Sequence, residues 1–109
     1  MKRTDILEKA ARCVNGQREQ DYGSPEDNFS LIASLWSAYT GRPLTAIDVA
    51  MMMSLLKIAR IKTGSSNMDS YVDLAGYAAC AGEIAAIRAA YSDNLPPPKT
   101  VGVGVSIRK

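Results

Sequence analysis

Apolar positions recur with a helical period along most of the chain, and turn-forming residues cut the pattern into four segments. The first helix is predicted to begin at Thr4, whose hydroxyl can accept from a free backbone N–H, and to carry Ile6, Leu7, Ala10, Ala11 and Val14 before Gly16. A polar connector from Arg18 to Gly23 has no periodic apolar face and reads as a loop or a frayed helix end. Ser24-Pro25-Glu26-Asp27 then combines an N-cap hydroxyl, a proline at the first helical position and acids over the positive end of the helix dipole. Phe29, Ile32, Trp36 and Tyr39 are predicted to share one face of this second helix, which Gly41 and Pro43 stop. Thr45-Ala46-Ile47-Asp48 opens a third helix by the same hydroxyl-then-acid logic, running to about Ile61.

That third helix is apolar nearly all round. Ile47, Val49, Met51, Met52, Met53, Leu55, Leu56, Ile58 and Ile61 do not fit one narrow stripe, so the helix is expected to be central, packed by other helices or by a second subunit. Its three methionines read as core filler rather than as an adaptable binding surface. After Thr63-Gly-Ser-Ser-Asn67 a fourth helix is predicted from near Met68 to about Ser92, with a run of alanine and glycine that lets another helix approach closely. Leu95-Pro-Pro-Pro98 cannot continue a helix, and Val101 to Ile107 alternates like a short strand. The expected organisation is a helical domain over 1–94 and a Pro-rich linker with a strand-like tail over 95–109. The fold class is all-α, a four-helix bundle with an extended C-terminal tail, and a homo-oligomer is expected.

Composition narrows the function more than the fold. The chain has 109 residues, so a second copy would help materially in burying a core. Lys and Arg number 13 against 11 acids, and a net charge of +2 is too small for the broad basic footprint of a general nucleic-acid binder. The chain contains no His, and Cys13 and Cys80 lie far apart, which removes zinc-finger, Ser-His and Cys-His chemistry. Both cysteines are expected to be buried or half-buried small apolar groups. The basic, then amphipathic start lacks the apolar core of a secretory signal, and no stretch approaches the ~20 apolar residues needed to cross a bilayer. No membrane association and a cytoplasmic location are therefore expected.

The chemistry-bearing residues cluster around the third and fourth helices. Lys57 and Arg60 are three apart and share a helix face, and Asp69 and Asp73, four apart, share one on the next helix. Folding the two helices antiparallel about position 65 sets Lys57 level with Asp73 and Arg60 near Asp69 or Ser70. One reading is an interhelical ion-pair network that fixes the register of the hairpin. The other is a phosphate or metal-phosphate site, with Arg60 offering a planar fork, Lys57 a point charge, and Asp69 and Asp73 ligands for magnesium carried by the substrate. The segment from Asp21 to Asp27 could cradle an anion at a helix start with Tyr22 stacking on a base, although a well-capped helix start with Tyr22 packed over it suits it better. Trp36 and Tyr39 suit base stacking too, but their helical spacing favours core.

The pattern Asp21-Tyr22-Gly23, Lys57-Ile-Ala-Arg60 and Asp69-x-x-x-Asp73-x-x-Gly76-Tyr77 resembles an uncharacterised family of small phage and prophage proteins over about residues 18 to 83. A more distant similarity is to the MazG-like all-α nucleotide pyrophosphohydrolases. That likeness implies magnesium held by an E-x-x-E pair on one helix and an E-x-x-D pair on the next. Here Lys57 and Arg60 stand in the place of the first pair, and Asp69 or Ser70 with Asp73 in that of the second. A Lys-Arg pair repels divalent ions unless an anionic substrate intervenes, so nucleotide binding survives the change better than hydrolysis. Three functions follow. One is a phage-type module that binds, and so sequesters, a nucleotide or nucleotide-derived signal in the host cytoplasm through Lys57, Arg60 and Tyr22. Another is a magnesium-dependent pyrophosphohydrolase with Asp69 and Asp73 as ligands and Glu26 or Asp27 as a further ligand or base. The last is an oligomeric interaction protein without a small-molecule site.

Overall fold

A computed structural model describes residues 1–64 and 67–93. The linker and the strand-like tail expected over 95–109 lie outside the described residues. Helix α1 spans Arg3–Asn15, α2 Gln17–Tyr22, α3 Pro25–Thr40, α4 Ala46–Lys62 and α5 Asp69–Asp93. The described residues are thus all-helical, with four long helices and one short one.

The caps show why the helices begin where they do. Ser24 Oγ accepts from the Asp27 N–H at 3.2 Å with Pro25 in the first helical position. At α4 the box is reciprocal: Thr45 Oγ1 accepts from the Asp48 N–H at 3.1 Å, and the Asp48 carboxylate accepts from the Thr45 N–H at 2.8 Å. At α1 the start moves two residues ahead of the expected Thr4 cap. Lys2 is the N-cap, and its N–H donates to the Asp5 carboxylate at 2.9 Å. The connector expected as a loop or frayed end is the helix α2, which closes on a Gly23 N–H bond to the Glu19 carbonyl at 2.8 Å. Local hydrogen bonds hold this turn without an apolar stripe, so periodicity could not find it. Gly41 ends α3 at φ 72°, a left-handed conformation that suits glycine.

Helices α4 and α5 form an antiparallel hairpin; α1 packs against α5, and α3 against α4. Phe29 and Ala33 of α3, Ala46, Val49 and Ala50 of α4, and Cys80, Ala81 and Ile84 of α5 make the core, with Ile32, Trp36, Met53 and Tyr77 packed around it. Gly76 lets α1 come close: a Cβ there would sit 3.2 Å from Val14 Cγ1.

Three burial expectations change. Tyr39 leaves the α3 face it was assigned to and is 92% exposed, because ten residues of helix turn it roughly 80° away from Phe29; Ala33 takes the inward place. Only one side of α4 is covered within the chain, so Met51 and Met52 are 43% and 41% exposed and the core-filler reading holds for Met53 alone. Cys13 is exposed, whereas Cys80 is buried as expected. Among the described residues, no helix is long and apolar enough to cross a membrane.

Ile84 is fully buried at the centre of this core. Ile84→Ala is expected to cost ~2–5 kcal/mol, read as a lower urea midpoint with an unchanged slope. An unmoved midpoint would place the centre of the core elsewhere.

Candidate functional site

Lys57 projects from the inner side of α4, and its ammonium lies 2.9 Å from the Asp73 carboxylate on α5. The Lys57 side chain is only 12% exposed and that of Asp73 38%. The register obtained by reflecting the hairpin about position 65 is therefore the one observed for this pair. It does not carry over to Arg60 and Asp69. Three residues along a helix advance 300°, so Arg60 sits roughly 60° round from Lys57 and leaves the seam. Arg60 is exposed and, among the described residues, has no carboxylate within 4.0 Å. Asp69 instead meets Lys9 of α1 at 3.5 Å, in the open. Lys9 was invisible to sequence reasoning because only the docking of α1 on α5 brings it there.

Asp73 also lines a cavity of about 240 Å³ between α1, α3 and α5, together with Cys13, Val14, Phe29, Val72, Gly76, Tyr77 and Cys80. The rings of Phe29 and Tyr77 are tilted against each other, with centroids 6.2 Å apart. A second cavity of about 150 Å³ shares Val14 and Cys80 and adds Glu19 and Glu83. A narrower cleft, again on Val14 and Cys80, holds the half-open ring of Tyr22. The three are grouped around Val14 and Cys80 and make up a grooved surface. Its walls combine aromatic rings with Glu19, Asp73 and Glu83, and among the described residues no Lys or Arg lines any of them. Lys57 reaches the groove through Asp73. Such walls admit an apolar or aromatic body, while a phosphate entering beside Asp73 would have to take Lys57 from it.

Asp69 and Asp73, four residues apart, lie on one face of α5. Each faces a lysine, and no group of three or more Cys, Asp or Glu among the described residues is placed to hold a metal ion. Glu26 turns toward Arg88 of α5, with Oε1 at 3.8 Å and Oε2 buried without a hydrogen-bond partner, and Asp27 is exposed.

The two ion pairs should differ in strength. A double-mutant cycle on Lys57→Ala and Asp73→Ala is expected to give ~1 kcal/mol or more of coupling in urea unfolding, since Lys57 is nearly dry. The Lys9–Asp69 cycle should give less, and 0.5 M salt should erase it first. Equal couplings would mean that burial of Lys57 contributes nothing.

The phage-family expectation stands. Gene 55 protein of Mycobacterium phage D29 is 48% identical over 75 residues, which is 69% of this chain and 50% of the relative. Gene 55 protein of Mycobacterium phage L5 is 51% identical over 74 residues, 67% of this chain and 47% of the relative. The chain thus spans about half the length of these curated relatives. No solved structure matches it. The family described as "Domain of unknown function (DUF6378)" matches residues 5–85, a span that holds Tyr22, Lys57, Arg60, Asp69 and Asp73. On that match, across most of the described helices, the chain belongs to the DUF6378 family.

Proposed function

We propose that this protein is a helical interaction module that self-associates. The observation that carries the reading is the exposed apolar surface of α3 and α4. Leu31, Leu35 and Leu55 are 60% to 63% exposed, and Met51, Met52, Leu56 and Ile58 are each more than 40% exposed, whereas among the described residues the large apolar side chains that are buried are Phe29, Val49, Val72 and Ile84. Exposed large apolar side chains gathered on helix faces are common at subunit contacts. The phage relatives suit work in the cytoplasm of an infected host. Light scattering at micromolar concentration is expected to give a multiple of the 11.7 kDa monomer mass. A clean monomer would remove this reading.

A specific observation supports a second reading, the binding of a nucleotide or another phosphate-bearing molecule. The half-dry Lys57–Asp73 pair borders a cavity framed by Phe29 and Tyr77, and the Arg60 guanidinium has no carboxylate partner among the described residues. A MazG-like pyrophosphohydrolase has weaker support, because Asp69 and Asp73 are each matched by a lysine. Nucleotides that bind should raise the melting temperature at millimolar concentration. Arg60→Lys should then keep stability and lose ~10-fold or more in affinity by calorimetry, since lysine cannot reproduce the bidentate fork. Equal affinity in wild type and variant would exclude Arg60 as a ligand residue.

A further inference from the structure

From the outward face of α4, we infer that a second copy of the chain docks there, with the two α4 helices antiparallel and crossing at Leu55. This rests on the self-association proposed above and names its surface and geometry. The inner side of α4 is taken up by Val49, Ala50 and Ser54, and the opposite side presents Met51, Met52, Leu55, Ile58 and Ala59 over about three turns, with no charge before Lys62. None of the residues lining the groove belongs to α4, so nothing else described in the fold uses this face.

Three features point to a second copy as the occupant. The first is area. The large side chains on the exposed side of α4 are 41% to 63% exposed. They leave on the order of 400 Å² of apolar surface, the size of the largest patch on an ordinary monomer and about half of the ~800 Å² per partner that a stable dimer buries, so the flanking residues of a second copy would have to supply the remainder. The second is self-complementarity. Reflection about position 55 brings Met51 of one copy level with Ala59 of the other, Met52 level with Ile58, and Leu55 onto Leu55, so large side chains meet small ones at the ends and leucines meet on the axis. An isologous contact needs that kind of self-matching surface. The third is charge. Antiparallel pairing puts the two exposed Lys62 ammonium groups at opposite ends of the contact, whereas parallel pairing would set them side by side and align the helix dipoles unfavourably.

Disulfide trapping tests the geometry separately from the association. In a Cys13→Ser background, which removes the exposed native thiol, Leu55→Cys is expected to give a covalent dimer as the main product of mild oxidation at micromolar concentration, and Lys62→Cys to give little. Leu55→Glu should keep the helical circular dichroism, because the side chain is 63% exposed, and weaken association at least ~10-fold. Trapping through Lys62→Cys as efficient as through Leu55→Cys would overturn the antiparallel arrangement. A dimer by light scattering that neither thiol traps, and that Leu55→Glu leaves intact, would move the contact to another face while self-association stands. A monomer by light scattering would remove both and leave the α4 face to a different protein.

Discussion

Helix α4 carries apolar side chains around most of its circumference, and the helices available to cover it reach only one side. Much of the rest of the fold follows from this constraint. Helices α3 and α5 cover Ala46, Val49, Ala50 and Ser54. Because several of the facing residues are Ala, Ser or Gly, the helices approach closely but bury few large side chains; among the described residues the core cluster holds Phe29, Val49 and Ile84 beside alanines and Cys80. A core built this way is thin for its length, since small side chains remove little apolar area from water. The apolar surface that would thicken it is present in the chain, but it points outward.

The hairpin is held in register by a polar interaction inside an apolar seam. Lys57 lies on the inner side of α4 among residues that pack on α5, so its ammonium is largely out of water and depends on Asp73 for compensation. A slip of one turn that brought Tyr77 level with Lys57 would leave that charge without a carboxylate, whereas the opposite slip would offer it Asp69, so the pair disfavours one of the two neighbouring registers. The same logic limits ligands. Lys9, Lys57, Asp69 and Asp73 sum to zero charge, so an incoming phosphate finds no surplus cation among them and must compete with Asp73. Arg60, outside that network, is the group free of such competition.

Helix starts and stops were legible because they depend on a few adjacent residues. Ser24 with Pro25 and Thr45 with Asp48 state their caps outright, and Gly41 states its stop. The Lys57–Asp73 register was legible too, since a short loop between two long helices leaves little choice of alignment. The orientation of an all-round apolar helix was not. Nothing local to α4 says whether Val49 or Leu55 points inward; docking of α3 and α5 decides it, and the fates of Met51 and Met52 follow. Cys13 and Lys9 were lost for the same reason, because the exposure of one and the partner of the other depend on how α1 lies along α5. The α2 turn escaped because its hydrogen bonds leave no periodic trace.

The groove and the α4 face lie on different helices, and this separates the two functional readings physically. The groove is walled by α1, α3, α5 and the residues around Tyr22, and no residue of α4 lines it. A contact confined to the outward face of α4 would therefore contribute no residue to the groove. Coupling would run through Lys57 by way of Asp73, and through the core, where Val49, Ala50 and Met53 of α4 share a cluster with Phe29, Tyr77 and Cys80 of the groove wall. A ligand that drew Lys57 from Asp73 would disturb the seam between α4 and α5 and so reach the helix that carries the docking face. Binding without such displacement would leave assembly unchanged, because a ligand shifts an equilibrium only by its difference in affinity for the two states.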